Sequence, residues 1–259
     1  MSLPQVPSFR LDMQPALVTG ASSGIGEGCA VALAAMGASV TLVARGQDKL
    51  DALAASMQEA GYNVRAAAID INDINAVRSL CGEQAKSAEG PFRAVVNSAG
   101  IARHTPSLET QPADFDTVMS LNVRAAYFLM QAVAKELINA GLSGSLINIG
   151  SQMGSVGGVD RAVYCATKHA TEGFIKAMAI EWGKHQIRIN SICPTFVRTP
   201  LTEVTFAQPE RVAWIKSKIH LGRIGEVSDI MGAVQDLASD ASALVTGTSM
   251  LIDGGWTAE

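Results

Sequence analysis

Short runs of apolar, often β-branched residues alternate with longer amphipathic stretches along nearly the whole chain, and this alternation restricts the fold more than any other feature. Residues 16–19, 39–44, 64–69, 94–97, 145–149, 187–193 and 250–252 read as buried strands. Helical spacing predicts helices over 27–36, 48–60, 112–140, 161–185 and 227–239, and another that Asp73 caps and that fades near Gly90. Residues 194–225 are expected to be irregular. Strands separated by helices must pair in parallel through right-handed crossovers, which buries both faces of the sheet. The expected fold is therefore α/β: a doubly wound parallel sheet with helices on both faces. No linker or repeat interrupts the pattern, so residues 1–259 are read as a single domain.

Composition suits that fold and excludes several functions. Hydrophobic residues make up 48% and charged residues 17%, enough for a well-buried globule. The net charge is -4 and the basic residues are scattered, so neither nucleic acid nor an anionic membrane is an expected partner. The first residues lack a basic segment followed by an apolar one, and the uncharged run over residues 28–44 divides into helix and strand. Cys29, Cys81, Cys165 and Cys193 show no metal-ligand spacing. Free thiols in a reducing cytoplasm are the expectation, with no metal.

Ligands of parallel sheets bind outside the carboxyl ends of the strands. Small and polar residues collect at those ends: Gly20, Gly24 and Gly26 after the first strand, Arg45 after the second, Asp70 after the third, residues 97–100 after the fourth, Ser151 after the fifth and Pro194 after the sixth. The glycine turn lies between a strand and a helix, where Gly20 permits a tight turn, Gly24 a close approach of phosphate and Gly26 close helix packing. The second strand ends in Arg45 with no carboxylate before Asp48, so NADP is the expected cofactor, a guanidinium fork matching the 2'-phosphate, with NAD the alternative if Arg45 turns into solvent. Tyr164 and Lys168 stand one helical turn apart. A nearby cation favours the phenolate, which suits that tyrosine to proton exchange near neutral pH. Ser151, at a strand end, is placed to face it.

The segments Thr19-Gly-Ala-Ser-Ser-Gly-Ile-Gly26, Asn97-Ser-Ala-Gly100, Asn122, Ser151, Tyr164-Cys-Ala-Thr-Lys168 and Pro194 together resemble the short-chain dehydrogenase/reductase family. The resemblance runs from about Arg10 to Gly255 and implies a Rossmann-type domain. It departs at Ser98, where the family has a second Asn, and at Thr195, where it has Gly. The resemblance implies that Tyr164 exchanges a proton with the substrate oxygen while Ser151 hydrogen-bonds the same atom. It implies that Lys168 holds the nicotinamide ribose and that Asn122 holds a water. It further implies cofactor contacts from Gly20, Ser22, Ser23, Gly24, Ile25, Gly26, Arg45, Asp70, Ile71, Asn97, Ala99, Gly100, Tyr164, Lys168, Pro194, Val197 and Thr199. Asp70 would meet the adenine, with Asn97 and Ala99 near its ribose.

The expected reaction interconverts a secondary alcohol and a ketone on a small substrate of sugar, sugar-acid or polyol type. A 3-oxoacyl-(acyl carrier protein) reductase is the alternative, thinly supported by Arg198, Lys216 and Lys218. A non-catalytic dinucleotide sensor or scaffold fits less well, because Asn122, Ser151, Tyr164 and Lys168 are all present. Residues 199–221, with Leu201, Val204, Phe206 and Trp214, are read as the substrate lid. Met153, Val159, Thr195 and Phe196 are candidate walls. Arg161 is read as a solvated charge and His104 as an exposed loop residue, with a wall role for each as the alternative. The segment Ile252-Asp-Gly-Gly-Trp256 resembles one that packs family tetramers, so a homotetramer is expected.

Overall fold

Seven parallel strands form one sheet in the order β3-β2-β1-β4-β5-β6-β7 in the computed structural model, which describes residues 3–259. The strands are β1 Pro15–Thr19, β2 Ser39–Ala44, β3 Val64–Ala68, β4 Ala94–Asn97, β5 Gly144–Ile149, β6 Ile187–Pro194 and β7 Ser249–Ile252. The principal helices are α1 Gly24–Ala35, α2 Gln47–Glu59, α3 Ile74–Lys86, α4 Pro112–Met119, α5 Ala126–Ala140, α6 Ala162–Trp182, α7 Glu203–Phe206, α8 Pro209–Lys218 and α9 Val227–Ala238. The chain leaves β1 in one direction for β2 and β3, then returns to build β4 to β7 on its other side. Strand order therefore reverses between β1 and β4, which opens a crevice at their carboxyl ends.

The two-residue period of each strand sorts the core into two layers. Ala16 and Val18 of β1 and Val96 of β4 pack on one face with Leu33 of α1, Leu50 of α2 and Val234 of α9. Leu17, Val95 and Leu146 point the other way, to Val77 of α3, Leu129 and Val133 of α5 and Ile175 of α6. Each fully buried aliphatic side chain stabilises the fold by about 1.5 to 3 kcal/mol relative to exposure, so the alternation determines the register of every strand. Among the described residues no helix is long and apolar enough to cross a membrane. All four cysteines are unpaired and buried.

Three expectations about elements need correction. Residues 194–225 are not irregular throughout: they contain α7 and α8, whose Ile215 packs with Ile219 and Ile224 against Phe196 and Trp256 in a small core of its own. That core draws on residues outside the lid segment, so the periodicity within it is weak. The long helix over 112–140 is broken by a π-helical turn, Ser120–Ala125, which carries Asn122. Gly24 and Gly26 belong to the first turn of α1 rather than to the loop before it.

Candidate active site

The turn after β1 is possible only with glycine at its tightest points. Gly20 has a φ of 64°, and a Cβ there would lie 2.8 Å from the amide nitrogen of Ala99, so the β1 and β4 turns meet backbone to backbone. A Cβ on Gly26 would lie 2.1 Å from the Gly20 carbonyl oxygen. Ser23 caps α1 without a side-chain hydrogen bond, leaving first-turn amides of that helix for an anion.

A cleft of about 600 Å³ runs from this turn across the sheet edge. One end is lined by Arg45, Lys49 and Asp70, the middle by Gly20, Ser22, Ser23, Gly24, Ile25, Ala99 and Gly100, and the other end by Ser151, Tyr164, Lys168, Pro194 and Thr195. Ile71, Val197 and Thr199 line it too. The structure thus brings together most of the residues that sequence singled out. Gly26 lies behind the turn.

Asn97 is placed otherwise. Its side chain accepts from the Thr19 hydroxyl at 2.6 Å and donates to Asn148 at 2.9 Å, tying β1, β4 and β5 together beneath the cleft. Its side chain therefore does not line the ribose site expected for it.

At the reacting end, Lys168 is buried and donates to the carbonyl of Ile149 at 2.9 Å. Its ammonium nitrogen lies 5.5 Å from the centre of the Tyr164 ring. Ser151 Oγ accepts the amide proton of Met153 at 3.1 Å, which leaves the serine's own proton to donate elsewhere. Asn122 is held by both ends of its amide: Oδ1 accepts from the Ile101 nitrogen at 2.9 Å and Nδ2 donates to the Ile101 oxygen at 2.8 Å. This pins the loop after β4 to the π-helical turn. Thr195 Oγ1 is buried without a partner, an open polar group at the Pro194 end of the cleft.

Several contributors escaped the sequence reading. Lys49 follows Arg45 by four residues and faces the same end of the cleft, a pairing that the helix spacing could have suggested. Gly150 had no local signal: a Cβ there would lie 2.5 Å from Ser191 Oγ and 2.7 Å from Glu172 Oε1. A second cavity, about 1100 Å³, is lined by Met153, Val159, Arg161, Phe196, Arg211 and Trp214 among others. Arg161 is half-buried, not a freely solvated charge; His104 is an exposed loop residue as expected, and its ring also meets Tyr164 edge to face at 6.0 Å. Pro209, Arg211, Trp214 and Lys218 of α8 line one side of this cavity.

A glycine turn at the switch point of a parallel sheet, ending in a tyrosine, lysine and serine around one cavity, defines a nucleotide-dependent oxidoreductase. Comparison with known proteins agrees. A family model described as enoyl-(acyl carrier protein) reductase matches residues 20–257. D-erythrulose reductase of Gallus gallus is 36% identical over 96% of this chain and 98% of its own. Gluconate 5-dehydrogenase of Gluconobacter oxydans is 38% identical over 96% of each. A solved structure of a gluconate 5-dehydrogenase from Burkholderia cenocepacia, in complex with NADP and tartrate, superposes with a TM-score of 0.93 at 32% identity, covering 98% of this chain and 99% of that one. The chain belongs to the short-chain dehydrogenase/reductase family and is an enzyme of the dehydrogenase and reductase type.

Proposed function

We propose that the chain interconverts a ketone and a secondary alcohol on a small sugar, sugar acid or polyol, using NADP(H) with Tyr164 as the acid and base. The observation that carries this reading is the single cleft with Arg45 and Lys49 at one end and Ser151, Tyr164 and Lys168 at the other. Two cations and no carboxylate at the end of β2 suit a 2'-phosphate better than a bare 2'-hydroxyl. The free amides of α1, the close approach at Gly20 and the open hydroxyl of Thr195 fit the dinucleotide along the rest of the cleft. NADP is also bound in the Burkholderia structure.

A reduced nicotinamide held there supplies the hydride. The chain's own residues handle the proton and the geometry. Ser151 donates its hydroxyl proton to the substrate oxygen and holds it in place, its own oxygen being anchored by Met153. Tyr164 gives its proton to that oxygen in reduction and removes it in oxidation. Lys168 places positive charge beside the ring where phenolate charge develops, and its bond to Ile149 keeps it there. Asn122 keeps the loop after β4 against α6 through Ile101 and Thr167.

The acyl carrier alternative loses ground on geometry, because Arg198, one of its three supporting cations, pairs with Glu226 at 3.3 Å. The exposed faces of the β7 region, including Leu251, suit assembly into a homotetramer. Turnover of short ketoses, polyols and sugar acids with each dinucleotide tests the function. NADPH-dependent reduction that disappears in Tyr164→Phe supports it; a variant keeping more than about a tenth of the rate refutes Tyr164 as the acid, because that loss is below the usual acid–base contribution.

A further inference from the structure

Arg161 lines the second cavity, three residues before Tyr164, and no carboxylate forms an ion pair with it among the described residues. It is half-buried, and its guanidinium carbon sits 5.2 Å from the centre of the Phe196 ring. Its Nη1 donates to His104 Nε2 at 3.1 Å, and His104 in turn packs against Tyr164. Arg211 lines the same cavity. Asp160, Glu210 and Glu259 lie around it too, yet among the described residues none pairs with Arg161. Burial, with the nearby Arg161 and Arg211 charges adding to it, pushes His104 down to about 4, so the histidine is neutral at pH 7 and offsets nothing. Burial likewise pushes the Arg161 guanidinium down from its ordinary range.

A partly desolvated cation with no counter-ion is costly unless an anion arrives with the ligand. The ring of Phe196 and the imidazole of His104 hold the guanidinium, and among the described residues its other N–H groups have no hydrogen-bond partner. Two such groups match a carboxylate's two oxygens in geometry and charge.

We propose that Arg161, oriented by His104 and Phe196, binds the carboxylate of a keto-aldonate whose ketone carbon lies at Tyr164. This rests on the oxidoreductase reading and narrows it: the substrate is a sugar acid rather than a neutral ketose or polyol. Arg161 is a specificity-determining residue, and His104 a positioning residue acting through it. Among relatives both classes occur, since one is a D-erythrulose reductase and another a gluconate 5-dehydrogenase.

The test compares 5-ketogluconate with fructose, a neutral ketose of the same length, and with fructose 6-phosphate, under saturating NADPH. Wild-type enzyme is expected to favour the keto acid in kcat/KM. Arg161→Gln should raise KM for the acid about 10- to 100-fold with kcat little changed, the loss of a hydrogen bond to a charged group. The loss on fructose should be several-fold smaller than on the acid, Arg161→Lys should restore part of the affinity, and His104→Asn should fall between. Equal use of acid and ketose by the wild type, an equal loss on both in Arg161→Gln, or a preference for the phosphate overturns the carboxylate assignment while leaving the oxidoreductase standing. Absence of turnover on all three, with tight NADPH binding retained, overturns the sugar reading and this inference with it.

Discussion

Lys168 reaches from α6 to the carbonyl of Ile149, the last residue of β5, so one hydrogen bond of 2.9 Å links the helix that carries Tyr164 to the strand that delivers Ser151. Both reacting side chains are thereby referred to the same point. Lys168→Met keeps most of the stem's packing and removes the ammonium. Turnover should fall by at least 100-fold, and NADPH affinity should fall too if the ammonium meets the nicotinamide ribose. Tyr164→Phe should leave dinucleotide affinity near wild type. Steady-state rates with fluorescence titration of NADPH separate the two effects.

The other end of the cleft decides the dinucleotide. Arg45→Ala should weaken NADPH by about 1.5 to 3 kcal/mol, the range for a hydrogen bond to a charged group, and leave NADH nearly unchanged. Lys49→Ala should do the same to a smaller degree, because a flexible ammonium makes a less directed contact. The NADPH affinity should fall as salt is added, and NADH much less. Equal wild-type affinities for the two dinucleotides would overturn the NADP assignment.

Glu172 on α6 is buried and accepts hydrogen bonds from Ser191 on β6 at 2.7 Å and from Ser249 on β7. The Cys193 thiol, pushed up to about 12 by burial and then by the Glu172 charge, stays protonated and donates at 3.5 Å to Oε1, the oxygen that Ser191 also meets. Glu172→Ala leaves these donors unsatisfied and should cost about 1 to 3 kcal/mol, whereas Glu172→Gln, which keeps an acceptor, should cost less. Urea unfolding midpoints provide the comparison.

The depressed His104 value has a consequence for stability. An unfolded histidine takes a proton near its ordinary value of about 6.5, while the folded one does so only near 4. Between those values the unfolded chain binds more protons, so this group's contribution is intact above pH 6.5 and lost as pH falls toward 4. One edge of the ring meets water, which reduces the effect. An NMR titration should find the His104 ring signals midway near pH 4, and Arg161→Gln should move that midpoint upward by removing an adjacent cation. A midpoint near 6.5 in the wild type would show that His104 is not packed as described.

The strands, the two-sided burial, the glycine turn and the Tyr164–Lys168 spacing were legible without coordinates, because each depends on residues close in sequence. Apolar periods of two and of three to four report which face is buried, and a helical turn brings residues four apart together whatever surrounds them. The roles of Asn97, Arg161, His104 and Gly150 depended instead on which distant segments meet. Asn97 faces Thr19 and Asn148 because β4 lies between β1 and β5, an order that strand periodicity does not encode. Phe196, just beyond β6, and His104, from the loop after β4, close on Arg161 and help to bury it. Local sequence therefore determined the elements and the chemistry they could carry. Tertiary packing decided which charges were desolvated, since burial is a property of the neighbours brought up by the fold.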